Sequence, residues 1–188
     1  YFHKILVANR GEIAVRVIGT ARDLGYRTVA VYSEADADSL HVQLADEAVC
    51  IGAAPVNESY LVADKILAAA ASTGADAIHP GYGFLSENCD FSRACSAAGI
   101  TFIGPPEGAI ELMGSKRLSK LAMLDAGVPC IPGYQGEDQS EDGLIAQALE
   151  IGFPLMVKAS AGGGGRGMRL VHESTELAEQ IQTARSEA

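Results

Sequence analysis

Apolar residues recur along the first hundred positions in two alternating rhythms. Short runs at Ile5–Ala8, Thr28–Tyr32, Ala48–Ile51, Ala75–Ile78 and Ile100–Ile103 have the length and side-chain content of buried strands. Between them the spacing becomes helical. Glu12–Leu24 puts Ala14, Val17, Ile18, Ala21 and Leu24 on one side. Ser59 is placed to cap a helix running to about Ser72, and Phe91–Ala98 reads as another. Gly25, Gly74 and Gly99 stand where these helices should stop. Strand–helix alternation with short connections predicts a parallel sheet covered by helices on both faces, an α/β domain over residues 1–112. Gly104-Pro105-Pro106 and a new helix after Gly114 mark its end.

The rhythm then changes. Ser115–Ala126 is helical, with Leu118, Leu121, Ala122 and Leu124 apolar and Lys116, Arg117 and Lys120 polar. Residues 132–143 read as an exposed loop, and Leu144–Ile151 as a helix. Strands at 154–158 and 168–171 follow, and Ser174 should cap a last helix from Thr175 to about Ser186. Helix, strand, hairpin, strand and helix make half of an α+β lobe over residues 113–188. There is no internal repeat.

Residues 156–169, Met-Val-Lys-Ala-Ser-Ala-Gly-Gly-Gly-Gly-Arg-Gly-Met-Arg, carry the chemistry. Four consecutive glycines, Gly162, Gly163, Gly164 and Gly165, let bare N–H groups approach a ligand and form an anion-binding nest. Lys158 precedes them at the end of a strand, a point charge suited to phosphate. The segment reads as a flap over a polyphosphate, with ATP the first candidate. It is not a P-loop, in which the lysine follows the loop and a helix comes next. The spacing of Gly162, Gly164 and Gly167 matches a dinucleotide fingerprint but lacks its strand-to-helix context. A hairpin whose glycines bind nothing is the competing reading.

Two loops follow strands at the carboxyl edge of the predicted sheet, where ligands of open α/β sheets gather. Ala8–Arg16 contains Gly11 at a strand-to-helix turn, and the plain alternative is a turn with Arg10 and Glu12 in salt links. His79–Asn88 contains Tyr82, Gly83, Phe84 and a cap offered by Ser86, Glu87 and Asn88. It could border a substrate cleft or be a self-satisfied loop packed by Tyr82 and Phe84. Lys116, near a helix start, opposes the helix dipole and would sit more easily beside a phosphate; a solvated lysine is the alternative.

Composition narrows the field. A net charge of -10 with 48% hydrophobic residues argues for a packed core and against a nucleic-acid binder. No apolar run reaches the length of a membrane span. No signal peptide is visible, and a start at Tyr1 implies that the beginning was cut, processed or left out. Cys50, Cys89, Cys95 and Cys130 lack metal or redox spacing and read as buried free thiols of a reducing compartment, the cytoplasm or a mitochondrial matrix. His3, His41, His79 and His172 form no ligand cluster in sequence.

Together, Ala8–Ala14, Thr28–Ser33, Leu44–Gly52, Ala77–Asn88, Phe102–Pro105, Leu112–Lys116, Ala126–Pro129 and Pro154–Arg169 resemble biotin carboxylase, the ATP-grasp component of biotin-dependent carboxylases. Ala161 departs from the pattern, standing where many members have a fifth glycine. The resemblance implies a Rossmann-like, parallel-sheet pre-ATP-grasp domain over 1–112, then the first part of an α+β ATP-grasp domain with most of its lid. It implies a ligase that uses ATP, Mg2+ and bicarbonate to form carboxyphosphate and then carboxylates biotin on a carrier domain. Lys116 and Lys158 match nucleotide-contacting lysines, Gly164 and Gly165 match glycines over the phosphates, and Met168 matches a residue near the adenine. Tyr82 and Gly83 match the loop facing the biotin and bicarbonate cleft.

The family's magnesium-binding acidic residues and the arginine near biotin lie beyond Ala188, so no catalytic or metal residue is assigned, and these 188 residues alone are expected to be inactive. Implied partners are a biotin carboxyl carrier domain, a carboxyltransferase subunit and a second copy. Arg16 fits the dimerising helix, although Gly19 leaves a neighbouring position bare. Gly133–Ser140 looks like the α-subunits of methylcrotonyl-CoA or geranyl-CoA carboxylases, yet a separate carboxyltransferase chooses the acceptor. Another ATP-grasp ligase and a non-catalytic assembly module are the competing functions. A dinucleotide oxidoreductase lacks the required acidic residue.

Overall fold

The computed structural model describes residues 1–158 and 167–186. It divides into two compact units, Tyr1–Glu111 and Leu112–Ala188.

The first unit is built on a parallel sheet. Its strands are β1 (Lys4–Val7), β2 (Arg27–Ser33), β3 (Glu47–Gly52), β4 (Ala77–His79) and β5 (Thr101–Phe102), in the order β3-β2-β1-β4-β5. Every pairing is parallel. The helices are α1 (Gly11–Asp23), α2 (Leu40–Leu44), α3 (Ala63–Thr73), α4 (Cys89–Ala97) and α5 (Glu107–Gly114).

Strand side chains alternate between faces, and both faces are covered. Ile5, Val7, Ala30 and Ala77 pack with Ala14, Ile18 and Ala21 of α1. Leu6, Val29, Val31 and Ile78 pack with Ile66, Ala69 and Ala70 of α3 and with Phe91 and Cys95 of α4. The predicted two-faced parallel sheet is therefore present, and its continuous apolar strands have this cause. Gly74 closes α3 at φ +66, a left-handed conformation that a side chain would oppose.

Local details correct the sequence reading. Ser59 is fully buried and donates to the Pro55 carbonyl (2.9 Å), so it caps nothing, and α3 begins four residues later at Ala63. Ser174 does not cap either. It opens a short 3-10 turn, after which α8 runs over Leu177–Ser186. Of the four cysteines only Cys95 is buried; Cys50 is exposed because β3 is an edge strand whose alternate residues face outward. Burial pushes the Cys95 thiol up to about 11, which leaves it inert.

The second unit contains α6 (Lys116–Asp125), α7 (Glu141–Ile151), α8 and an antiparallel hairpin, β6 (Leu155–Lys158) with β7 (Met168–Val171). The expected loop at 132–143 ends early. Ser140 accepts from the Gly143 N–H (3.1 Å) and starts α7 at Glu141. One face of the hairpin, with Leu155, Val157 and Val171, packs on Leu144, Ile145 and Ala148 of α7 and on Leu177 and Ile181 of α8. Among the described residues no helix is long and apolar enough to cross a membrane.

Leu6 is fully buried in the central strand, whereas Leu24 is exposed just past α1. Leu6→Ala should cost about 2–5 kcal/mol, and Leu24→Ala less than about 0.5 kcal/mol. Urea unfolding midpoints of the two variants check this; equal shifts would contradict the described core.

Candidate functional site

The sheet order reverses between β1 and β4, the place where connections leave in opposite directions and open a crevice at the strand ends. A cleft of about 360 Å³ lies there, lined by Asn9–Ile13 from the β1–α1 turn and by Tyr82, Gly83 and Phe84 from the loop after β4. Both loops singled out in the sequence thus meet at one site.

Asn9, only 3% exposed, spans the gap. Its Nδ2 donates to the carbonyls of Pro80 and Tyr82, both at 2.8 Å, and its Oδ1 accepts the Arg10 N–H (2.9 Å). Gly81 lies against this amide; a Cβ there would stand 2.7 Å from Nδ2, and its φ is +68. The Gly81 N–H donates to Nδ1 of His79 (3.0 Å), so that nitrogen carries no proton. Burial lowers the His79 pKa, in keeping with a neutral ring. Tyr82 is 64% exposed. Phe84, at φ +44, stacks on Tyr60 with centroids 5.2 Å apart and planes within 6°. Of the two aromatics expected to pack the loop, Phe84 does so and Tyr82 does not.

Beneath the cleft is a buried carboxylate. Asp36 is 6% exposed and accepts at Oδ2 from Arg10 Nε (2.7 Å), Tyr60 Oη (2.7 Å) and Ser33 Oγ (3.1 Å), while Arg10 Nη2 bonds its Oδ1. The Arg10 guanidinium, followed by the two hydroxyls, holds the Asp36 pKa far below the usual carboxylate range against the opposing effect of burial. Tyr60 is pushed up to about 12, first by burial and then by its bond to Asp36, so it remains a phenol that donates. Arg10 also lies over the Tyr60 ring, 5.9 Å from its centroid. The salt links anticipated for Arg10 and Glu12 exist with other partners, Asp36 and Arg16. Nothing local in the sequence marks Asp36 or Tyr60, because the network joins positions 24 residues apart. The signal for Asn9 was its place between an apolar strand and a helix start.

In the second unit, Lys158 pairs with Met168 and Met156 with Leu170 in the β6–β7 register. All four are exposed, opposite the face that packs on α7 and α8. The lysine and methionine picked out from the sequence are therefore cross-strand neighbours at the end of the hairpin where the two strands are connected. Gly162, Gly163, Gly164 and Gly165 lie outside the described residues. Lys116 is the first residue of α6, where the Ser115 hydroxyl accepts the Leu118 N–H (3.2 Å). Among the described residues no three His, Cys, Asp or Glu side chains group to hold a metal ion.

Comparison with known proteins agrees across the chain. Residues 1–110 match the model of the biotin carboxylase N-terminal domain, and 115–188 that of the carbamoyl-phosphate synthase L chain ATP binding domain. The chain is 55% identical over 187 residues to the propionyl-CoA carboxylase alpha chain of Ruegeria pomeroyi, covering 100% of this chain and 28% of that protein. It is 57% identical over 185 residues to the mitochondrial methylcrotonoyl-CoA carboxylase subunit alpha of Dictyostelium discoideum, covering 98% and 26%. The biotin carboxylase domain dimer of the Hydrogenobacter thermophilus 2-oxoglutarate carboxylase, solved with MgADP, ADP and bicarbonate, superposes with a TM-score of 0.93 at 51% identity. That match covers 100% of this chain and 41% of that one. The chain thus spans about a quarter of the length of these two carboxylase subunits.

Because the Asp36 pKa is depressed in the fold, its stabilising effect is fully present above about pH 4 and is lost as pH falls through the folded value. Asp36→Asn should destabilise by about 1–3 kcal/mol at neutral pH. The gap from wild type should narrow below about pH 4. Urea unfolding of both proteins between neutral and acid pH checks this; a gap independent of pH would contradict the charged network.

Proposed function

The chain belongs to the biotin carboxylase family, and from that premise we propose that it supplies the N-terminal domain and most of the nucleotide lid of an ATP-dependent biotin carboxylase. In the proposed reaction a bicarbonate oxygen attacks the γ-phosphorus of ATP and ADP leaves, giving carboxyphosphate. Its carboxyl group then passes to the ureido nitrogen of biotin, and phosphate is released.

The observation that carries this reading is the end of the β6–β7 hairpin. Lys158 and Met168 face each other on the exposed side, immediately flanking the glycine-rich segment. A lysine ammonium can neutralise charge on a transferring phosphoryl group, and catalysis of such transfers is largely positioning and electrostatics. A neighbouring thioether offers a polarisable surface for an aromatic base. We assign Lys116 and Lys158 to the phosphates, Gly162–Gly165 to the nest over them, and Met168 to the adenine. Tyr82 and Gly83 are assigned to the cleft for biotin and bicarbonate. Mg2+ is proposed as an ion that enters bound to ATP.

The proposed partners are a biotin carboxyl carrier domain, a carboxyltransferase subunit and a second copy of the chain. The 2-oxoglutarate carboxylase relative is described as a domain dimer with MgADP and bicarbonate, which supports the nucleotide, the anion and the pairing together. The proposed compartment is the cytoplasm, or the mitochondrial matrix in a eukaryote. The acyl acceptor is left to the carboxyltransferase, since propionyl-CoA and methylcrotonoyl-CoA subunits match at 55% and 57% identity. A second ligase reading has one specific support, the carbamoyl-phosphate synthase model matched by residues 115–188.

Lys158→Ala should weaken ATP binding by about tenfold or more, the size expected when a charge-assisted bond to phosphate is lost. Calorimetric titration with ATP checks this on the chain itself. In the intact protein, ADP formation should require bicarbonate and rise with biotin. Bicarbonate-dependent ATP cleavage indifferent to biotin would favour the second ligase, and unchanged ATP affinity in Lys158→Ala would remove the assigned lysine.

A further inference from the structure

We propose that Asn9 is a positioning residue that sets the Tyr82–Gly83 backbone for the biotin- and bicarbonate-facing cleft; the inference rests on the functional reading above for what the loop contacts, and on geometry for how it is held. Asn9 comes from the end of β1, whereas the loop follows β4, and the connections from these two paired strands leave in opposite directions because the sheet order reverses there. Backbone hydrogen bonding of the ladder stops near Ala8, whose N–H reaches the His79 carbonyl (2.9 Å). Beyond it, the Asn9 amide continues the bridge. Both Nδ2 hydrogens are used, one on Pro80 and one on Tyr82, which also fixes which end of the amide is nitrogen. A carboxylate could not replace it, having no hydrogens to give. Gly81 completes the fit, since a Cβ would intrude on the same amide.

The far side of the loop is held independently. Phe84 has φ +44, a conformation that a residue with a side chain keeps only where its surroundings impose it, next to Gly83, which adopts φ +68 without strain. Phe84 is anchored by its stack on Tyr60. Between the two anchors, Tyr82 is mostly exposed, and a Cβ on Gly83 would meet nothing within 4 Å. Neither residue is used for packing. A loop fixed at both ends, with its middle bare toward a cleft, is built to present backbone and ring to a ligand.

The test uses Asn9→Asp, which keeps the size but turns two attractions to carbonyls into repulsions, and Gly81→Ala, which strains the same contact from the other side. In the 188-residue chain, the amides of Gly81, bonded to His79, and of Ser86, bonded to the Gly83 carbonyl, should exchange with solvent about tenfold faster or more in each variant, with the central strand amides of Leu6, Val29 and Ile78 unchanged. In the intact protein, KM for biotin and for bicarbonate should rise about tenfold while KM for ATP stays within about twofold. Unchanged exchange at Gly81 and Ser86 would overturn the positioning role whatever the activity. Faster exchange throughout the sheet in both variants, with all three KM values moving together, would reduce Asn9 to a fold-stabilising residue and overturn it equally. Should Asn9→Asp not fold, Asn9→Ala, which removes both donated bonds without adding a charge, decides between these outcomes. Absence of biotin-stimulated ATP cleavage in the wild-type intact protein would instead fail the functional reading and leave the exchange result to judge the geometry.

Discussion

The first unit depends on one negative charge taken out of water. A buried carboxylate is costly unless it is paired and fully hydrogen-bonded. Asp36 meets that condition with four bonds from three side chains, and each donor is thereby oriented. Arg10 is drawn to the mouth of the cleft, Tyr60 is pinned under Phe84, and Ser33 ends β2 beside both. Tyr60 is bound twice over, because its oxygen also accepts the Ser33 N–H (2.9 Å). The strained backbone at Phe84 therefore leans on a ring that cannot swing. Charge, aromatic packing and loop conformation form one chain of causes from the sheet to the cleft.

Under the proposed function, such an arrangement suits an acidic protein that handles anions. With a net charge of -10, long-range attraction to a polyphosphate is absent, so cations must act at close quarters. Arg10 is committed to Asp36 and contributes little free charge at the cleft. The hairpin of the second unit differs. Its inner face satisfies the apolar demands of α7 and α8, which leaves the outer face free to carry a lysine among two methionines and a leucine. Chemistry and packing are divided between the two sides of the same two strands.

Elements with strong apolar rhythm could be read from the sequence. Thr28–Val31 and the Ala14, Ile18, Ala21 stripe are buried as their spacing requires, and Asn88 caps α4 by accepting the Phe91 N–H (2.8 Å). Short or mixed signals could not be read. α2 has five residues, too few for a period to declare itself, and α5 follows a Gly-Pro-Pro sequence that reads as a break. Ser59 has the residue type of a cap, but its buried hydroxyl donates to the Pro55 carbonyl instead of accepting a helix N–H. The two cleft loops were visible as glycine-bearing turns after strands, yet their joining through Asn9 depends on β1 and β4 being neighbours. Adjacency of strands 70 residues apart is a property of topology, and no local pattern carries it.

Parity governs how the β6–β7 hairpin can vary. Displacing β6 by one position would turn Met156 and Lys158 inward and expose Leu155 and Val157, exchanging the two faces of that strand. Displacement by two would restore the faces but carry the amine about 7 Å along the strand. Residues gained or lost between positions 158 and 168 disturb neither ladder. Drift in length is thus channelled into the connecting stretch, while the amine and the thioether opposite it remain a fixed pair.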